Sequence, residues 1–112
     1  MKRSFYYLII MVTTMIFFGA AGTALAHKVN IFAYAENRVV YTESYFPDGK
    51  PVGGGVIEVL DAVGNKILEG KTDTDGLFSF PVPDKKEDLT IVLNASLGHK
   101  NQYILKKSEL GG

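Results

Sequence analysis

The sequence predicts an all-β fold: a seven-stranded antiparallel β-sandwich that follows an N-terminal signal-peptide helix. After residue 27, short runs rich in β-branched and aromatic residues alternate with turn residues, which is the pattern of a sandwich. None of these runs keeps an apolar period of 3.6 residues. The "PDGKPVGG" segment marks a loop, because prolines and glycines do not fit a central strand. The predicted strands are 29–36, 38–46, 55–61, 66–70, 77–82, 89–95 and 102–107. Alternation puts Val29, Ile31, Ala33 and Ala35 on one face of the first strand. In the sixth strand Ile91, Leu93 and Ala95 oppose Thr90, Val92 and Asn94, which predicts a central, well-covered strand.

The first 26 residues predict a secretory leader. Lys2 and Arg3 precede the apolar run "SFYYLIIMVTTMIFFGAAG", and the segment closes on Ala-Leu-Ala. A basic start, an apolar centre and an A-x-A ending are the parts of a signal peptide. We therefore expect residues 1–26 to be removed and 27–112 to form one sandwich domain outside the cytoplasm, in the periplasm or on the outer face of the cell membrane. An uncleaved membrane anchor is the alternative, since roughly 20 apolar residues cross a bilayer.

Charge and cysteine content restrict the partners. The chain has 12 Lys+Arg and 12 Asp+Glu, and because Lys2 and Arg3 precede every acid, the part after the cut carries a net charge of about −2. Without a basic stripe a nucleic-acid partner is not expected. Cysteine is absent, so any metal site must be built from nitrogen and oxygen ligands.

Strand parity predicts that the two histidines of the chain lie at one end of the sandwich. If consecutive strands reverse direction, the first strand starts at the end where the second, fourth and sixth strands finish. That end collects His27, the 47–54 loop with Asp48, the 71–76 turn with Asp73 and Asp75, and the 96–101 loop with His99.

This placement predicts a metal site made by proteolysis. A free α-amine on His27 and its own imidazole would chelate one ion, and His99 would supply a third nitrogen. Both donor types lose protons readily near neutral pH. Three nitrogens suit Ni²⁺, Co²⁺ or Cu²⁺ better than Mg²⁺ or Ca²⁺. Asp48, Asp73 or Asp75 could add an oxygen or orient an imidazole.

Plainer interpretations stay open for the same residues. His27 is also compatible with a frayed first residue, and His99 with a polar loop residue. The "DTDG" segment around Asp73 is typical of a turn, because no Glu stands at the twelfth position of a calcium loop. No Ser/His/Asp or Cys/His set indicates catalysis, so we expect no enzymatic activity; a copper oxidase on the histidine ligands is the enzymatic alternative.

Segments of the sequence resemble two known families. The run "GGGVIEVLDAVGNKILEGKTDTDGLFSF" resembles transthyretin-like and carboxypeptidase-regulatory-like domains, which implies a transthyretin-like or immunoglobulin-like sandwich. A second resemblance covers more of the chain and is to the accessory periplasmic subunit of ECF-type nickel/cobalt transporters. The segments that carry it are "AHKVNIFAYAENRVVYTESYFPDGKPVGGG", "GKTDTDGLFSFPVP" and "DLTIVLNASLGHKNQY". In that family a leader is followed at once by His, here His27, and a "NASxGHK" segment comes late, here with His99.

The resemblance implies a non-enzymatic subunit that handles Ni²⁺ or Co²⁺ beside membrane-embedded transporter subunits. Members often continue into a C-terminal membrane helix, whereas this sequence ends at "KKSELGG". Three explanations stay open: the sequence is a fragment of a longer protein, the processed protein is soluble, or the leader is retained as the anchor. We expect membrane association through the transporter partner or through a retained leader. The alternative is a structural interaction module without metal, docking through strand edges or through an outward row of Tyr41, Glu43 and Tyr45. A carbohydrate- or peptide-binding module is a third possibility, against which the lack of tryptophan argues mildly.

Overall fold

The computed structural model describes residues 28–111, which form an antiparallel β-sandwich. The predicted leader (1–26) and His27 lie outside the described residues. Seven strands were predicted and residues 28–111 contain seven, so the all-β fold class is confirmed. The strands are β1 Asn30–Glu36, β2 Val39–Tyr45, β3 Val56–Leu60, β4 Lys66–Lys71, β5 Leu77–Pro81, β6 Leu89–Ser96 and β7 His99–Leu105.

Two sheets pack face to face. One has the order β1-β2-β5 and the other the order β4-β3-β6-β7, with every pairing antiparallel. Three hairpins stay within a sheet, whereas the chain changes sheet after β2, β4 and β5. The edge strands β1 and β7 lie side by side, so the first and last strands of the sandwich meet at one seam.

Strict alternation of side chains builds the core. Val29, just before β1, and Ile31 and Ala33 within it are buried and share the inner face, as their spacing predicts. β6 lies between β3 and β7 and buries Leu89, Ile91 and Leu93, which confirms its predicted central position. The remaining buried apolar side chains are Val40, Val52, Ile57, Val59, Phe80, Leu105 and Leu110.

Buried hydrogen bonds fasten the long 46–55 loop to the β4–β5 turn. The hydroxyl of Thr72 is buried, accepts a hydrogen bond from Gly55 N (2.8 Å) and donates one to Val52 O (2.5 Å). A side chain at Gly55 would begin 2.9 Å from atoms of Leu93 and Val52, so the third glycine of "GGG" is needed for packing. The loop is therefore a fixed part of the sandwich.

The last hairpin differs from its prediction. We expected a loop over 96–101, but the turn between β6 and β7 contains only Leu97 and Gly98, and β7 starts at His99. Ser96, Leu97 and Gly98 all have positive φ (97°, 50° and 81°), and a register shift lies between Asn94 and Ser96. This tight, bulged reversal lets pairing begin three residues earlier than predicted. The predicted end of the strand is replaced by a 3₁₀ helix over Lys107–Glu109.

Candidate metal site at the N-terminal end of the sandwich

One end of the sandwich contains the chain entering β1, the 46–55 loop, the β4–β5 turn and the β6–β7 turn; we call it the N-terminal end. Its segments are bonded together: Ser44 N donates to Gly76 O (2.9 Å), and Val52 N donates to Ser44 O (3.0 Å). Phe46, at the start of the loop, packs against His99. The described loops that were predicted to share this end therefore do so.

His99 is held at this end by packing. As the first residue of β7 it pairs with Ser96, and its ring meets the ring of Phe46 edge-on, with 6.3 Å between centroids and an interplanar angle of 82°. Its Nδ1 is buried and has no hydrogen-bond partner among residues 28–111. Buried polar atoms are normally paired with a protein group or an ordered water, so this nitrogen is available to a water, a ligand or a group outside the described residues.

Asn101 brings the start of the domain to the same strand. Its Nδ2 donates to Val29 O at 2.9 Å, across 72 positions of sequence. Partly buried His99, Asn101 and Tyr103 alternate with exposed neighbours along β7, so all three share its inner face. The chain segment that follows His27 is thus hydrogen-bonded to β7, two residues from His99. Sequence reasoning did not identify Asn101 or Phe46, because neither belongs to a metal-ligand pattern.

Two of the three predicted carboxylates accept hydrogen bonds within turns. Asp48 Oδ1 accepts from Lys50 N (3.0 Å), and Asp73 Oδ1 accepts from Asp75 N and Leu77 N (both 2.9 Å). Asp75 is exposed in the same turn. Within residues 28–111, no group of three or more His, Cys, Asp or Glu side chains is arranged to hold a metal ion. The described part of the site therefore contributes His99, and the roles of His27 and of the carboxylates stay predictions.

An exposed aromatic surface covers the outer face of the three-stranded sheet. The predicted outward Tyr41, Glu43 and Tyr45 are all exposed, and β1 adds Phe32 and Tyr34, which was not predicted. The sequence spacing contains a signal for this larger surface. When β1 pairs with β2 through the two-residue Asn37-Arg38 turn, Tyr34 lies directly opposite Tyr41.

Comparisons with known proteins give one relative and no family. No family model matches the chain. The chain is similar to an uncharacterized protein of Haemophilus influenzae (strain ATCC 51907 / DSM 11121 / KW20 / Rd), with 30% identity over 83 residues, covering 72% of this chain and 52% of that protein. The matched part thus spans about half the length of the relative. Across residues 28–111 no helix has both the length and the apolar character to cross a bilayer.

Proposed function

We propose that this protein is the extracytoplasmic accessory subunit of a nickel/cobalt uptake transporter of the ECF type. In this proposal the mature protein begins at His27, and His27 and His99 bind Ni²⁺ or Co²⁺ or hand the ion over. The domain itself is not an enzyme; it docks on membrane-embedded transporter subunits. The resemblance of its "AHKV" and "NASLGHK" segments to that family motivates the proposal.

The observation that carries the proposal is that Val29, just before β1, is hydrogen-bonded to β7 close to His99. The carbonyl of Val29 is fixed by Asn101, two residues from His99 on the same face of the strand. In the sequence, Lys28 alone separates Val29 from His27. This short separation in sequence supports the pairing of His27 with His99 that the proposal requires.

The donor chemistry agrees with this class of ion. The α-amine and Nδ1 of one histidine close a chelate ring, and His99 Nδ1, unpaired among the described residues, would be the third nitrogen. Nitrogen donors favour late first-row divalent ions, and no sulfur competes for them because the chain lacks cysteine. Phe46 packs on the His99 ring and restricts its rotation, which reduces the entropy lost on binding.

Titration with NiCl₂ followed by calorimetry tests the site. The protein that begins at His27 is expected to bind one Ni²⁺. An extra Ala before His27, or His99→Ala, is expected to weaken binding at least about tenfold, because each removes a nitrogen ligand. Asn101→Ala is expected to weaken binding less, because it releases Val29 and leaves the ligands in place.

Lys100→Ala is the matched control, since Lys100 is exposed and adjacent to His99 on the opposite face of β7. It should bind Ni²⁺ as the unchanged protein does. Ni²⁺ affinity that survives both His99→Ala and the added Ala would disprove the two-histidine site.

A second candidate function is favoured by the exposed aromatic surface: a structural interaction module that assembles with a membrane complex without metal. Tyr41 and Tyr45 retain 37% and 43% of their surface, and a docking surface of this kind needs no ion. Under this alternative, co-purification with a membrane partner is unchanged by EDTA. Loss of the partner in EDTA favours the metal-handling function instead.

A further inference from the structure

The outer face of the three-stranded sheet carries a continuous aromatic surface, which we call the tyrosine face: Phe32, Tyr34, Tyr41, Glu43, Tyr45 and Leu77. The rings of Tyr34 and Tyr41 stack across the β1–β2 pair, with centroids 5.4 Å apart and 24° between planes. Phe32 extends this row, 5.9 Å from Tyr34, and meets Tyr103 of the seam at 5.5 Å. A row of four aromatic rings therefore crosses one side of the molecule.

The strand register places a carboxylate inside this surface. Glu43 lies opposite Phe32 on one side and Leu77 on the other, in the row next to the Tyr34–Tyr41 pair. A depression of about 530 Å³ opens here, lined by Tyr34, Tyr41, Glu43, Asp73, Leu77 and Ser79. The depression thus combines aromatic rings with two carboxylate side chains.

The charged side chains at the outward positions of this sheet are all acidic. The outward positions of β1, β2 and β5 include Glu36 and Glu43 and contain no Lys or Arg. Among residues 28–111, neither Glu43 nor Asp73 takes part in an ion pair. Aromatic rings present negative potential above their planes, so rings and carboxylates attract the same kind of group.

From this complementarity we propose that the tyrosine face docks an arginine- or lysine-bearing segment of a partner protein. The cation lies in the depression between the tyrosine rings and the carboxylates of Glu43 and Asp73. The apolar stem of the same side chain covers Leu77 and Phe32, which are both 44% exposed in the free protein.

Two other occupants fit less well. A second copy of the chain, placed face to face, would bring its own Glu43 toward this one without a basic residue to neutralise either. A neutral sugar would stack on the rings and leave the two carboxylates without a counter-charge. The proposal does not depend on metal binding, because no residue of the tyrosine face belongs to the predicted metal site. Asp73, which lines the adjoining depression, was predicted for that site, but its Oδ1 is engaged in its own turn.

An NMR titration of the protein as purified, in EDTA, tests the proposal. The probe is the capped peptide Gly-Arg-Gly-Arg-Gly, and its matched control is the same peptide with citrulline, which keeps the shape of arginine without the charge. The arginine peptide is expected to shift the resonances of Tyr34, Tyr41 and Glu43, and to bind at least about tenfold more tightly than the citrulline peptide. The affinity for the arginine peptide should fall as the salt concentration is raised, because the contacts between arginine and the carboxylates are exposed to solvent.

Variants locate the contact. Glu43→Gln and Tyr41→Leu are each expected to reduce the affinity at least about fivefold, whereas Glu58→Gln, on the outer side of the opposite sheet, should leave it unchanged. A dispersed spectrum establishes that each variant is folded. Equal binding of the two peptides, no effect of Glu43→Gln, or displacement of the arginine peptide by cellohexaose would overturn the proposal; the last result would identify a sugar platform.

Discussion

At the scale of single residues, Gly70 of β4 shows how closely the edge strands of the two sheets approach each other. A Cβ at this position would lie less than 3.0 Å from two ring atoms of Phe78, whose ring lies against the backbone of Gly70. Phe78 belongs to β5 of the other sheet and packs on the core. The absence of a side chain at Gly70 is therefore a packing requirement between the sheets.

Gly70→Ala is expected to lower the free energy of unfolding by about 1–3 kcal/mol, the usual cost of overpacking a filled space. The opposing effect, reduced entropy of the unfolded chain, contributes only about 0.4–1 kcal/mol, so the clash prevails. Urea unfolding measures the change.

Gly53→Ala is the matched control, because the nearest atoms to its added Cβ are 3.5 Å away, an ordinary contact. It should stay within about 0.5 kcal/mol of the unchanged protein. Equal effects of the two substitutions would show that the Phe78 contact does not limit residue size at position 70.

At the scale of elements, the sequence was informative where side-chain alternation is regular and uninformative where backbone geometry decides. Alternation in β1, β2 and β6 identified their buried faces correctly. The β6–β7 turn was predicted as a long loop because "SLGHKN" is rich in turn residues. The actual two-residue turn puts Leu97, 93% exposed, at φ 50°, a conformation for which leucine gives no sequence signal. His99 was therefore predicted in a loop and lies in a strand.

Asp88 ties the C-terminal 3₁₀ helix to the start of β6. Its Oδ1 accepts a hydrogen bond from Lys107 N at 2.8 Å, and its Oδ2 lies 3.5 Å from Lys106 Nζ. The backbone hydrogen bond from Lys107, aided by the charge of Lys106, lowers the pKa of Asp88 below its ordinary 3.8. A lowered folded-state pKa means that this contact stabilises the fold above the unfolded pKa and is lost as pH falls through the folded one.

We therefore expect the Lys107 amide resonance to titrate with a midpoint below pH 3.8. Asp88→Asn should abolish this titration. Asp61→Asn, which alters the β3–β4 turn that Asp61 Oδ1 caps, should leave it unchanged. A midpoint at or above pH 3.8 in the unchanged protein would show that Lys107 does not stabilise the carboxylate.

At the scale of the whole molecule, strand counting predicted which described loops share an end, because parity needs only the number of strands and their reversal. The seam between β1 and β7 was beyond prediction, since the order of strands within two sheets is not encoded in alternation. The Asn101–Val29 hydrogen bond is a product of that order. Sequence thus identified His99 as a candidate, and the fold supplied its neighbours.

Cleavage of the leader in cells can be tested directly. Protein isolated from cells is expected to have the intact mass of residues 27–112, because Ala24 and Ala26 fit the small-residue positions of a cleavage site. Ala26→Asp should prevent cleavage and retain the leader, whereas Lys28→Ala should be processed normally. An intact mass equal to the full 112 residues in the unchanged protein would remove the free amine from the proposed metal site.

The tyrosine face also determines what the intrinsic fluorescence of this protein reports. The sequence has no tryptophan, and its tyrosines after residue 27 are Tyr34, Tyr41, Tyr45 and Tyr103. Three are exposed on one side of the molecule, and the fourth touches Phe32 at the edge of that side. Most of the ultraviolet emission of the processed chain therefore originates from a single face. It is a built-in reporter of what approaches that face, and a poor one of events in the aliphatic core.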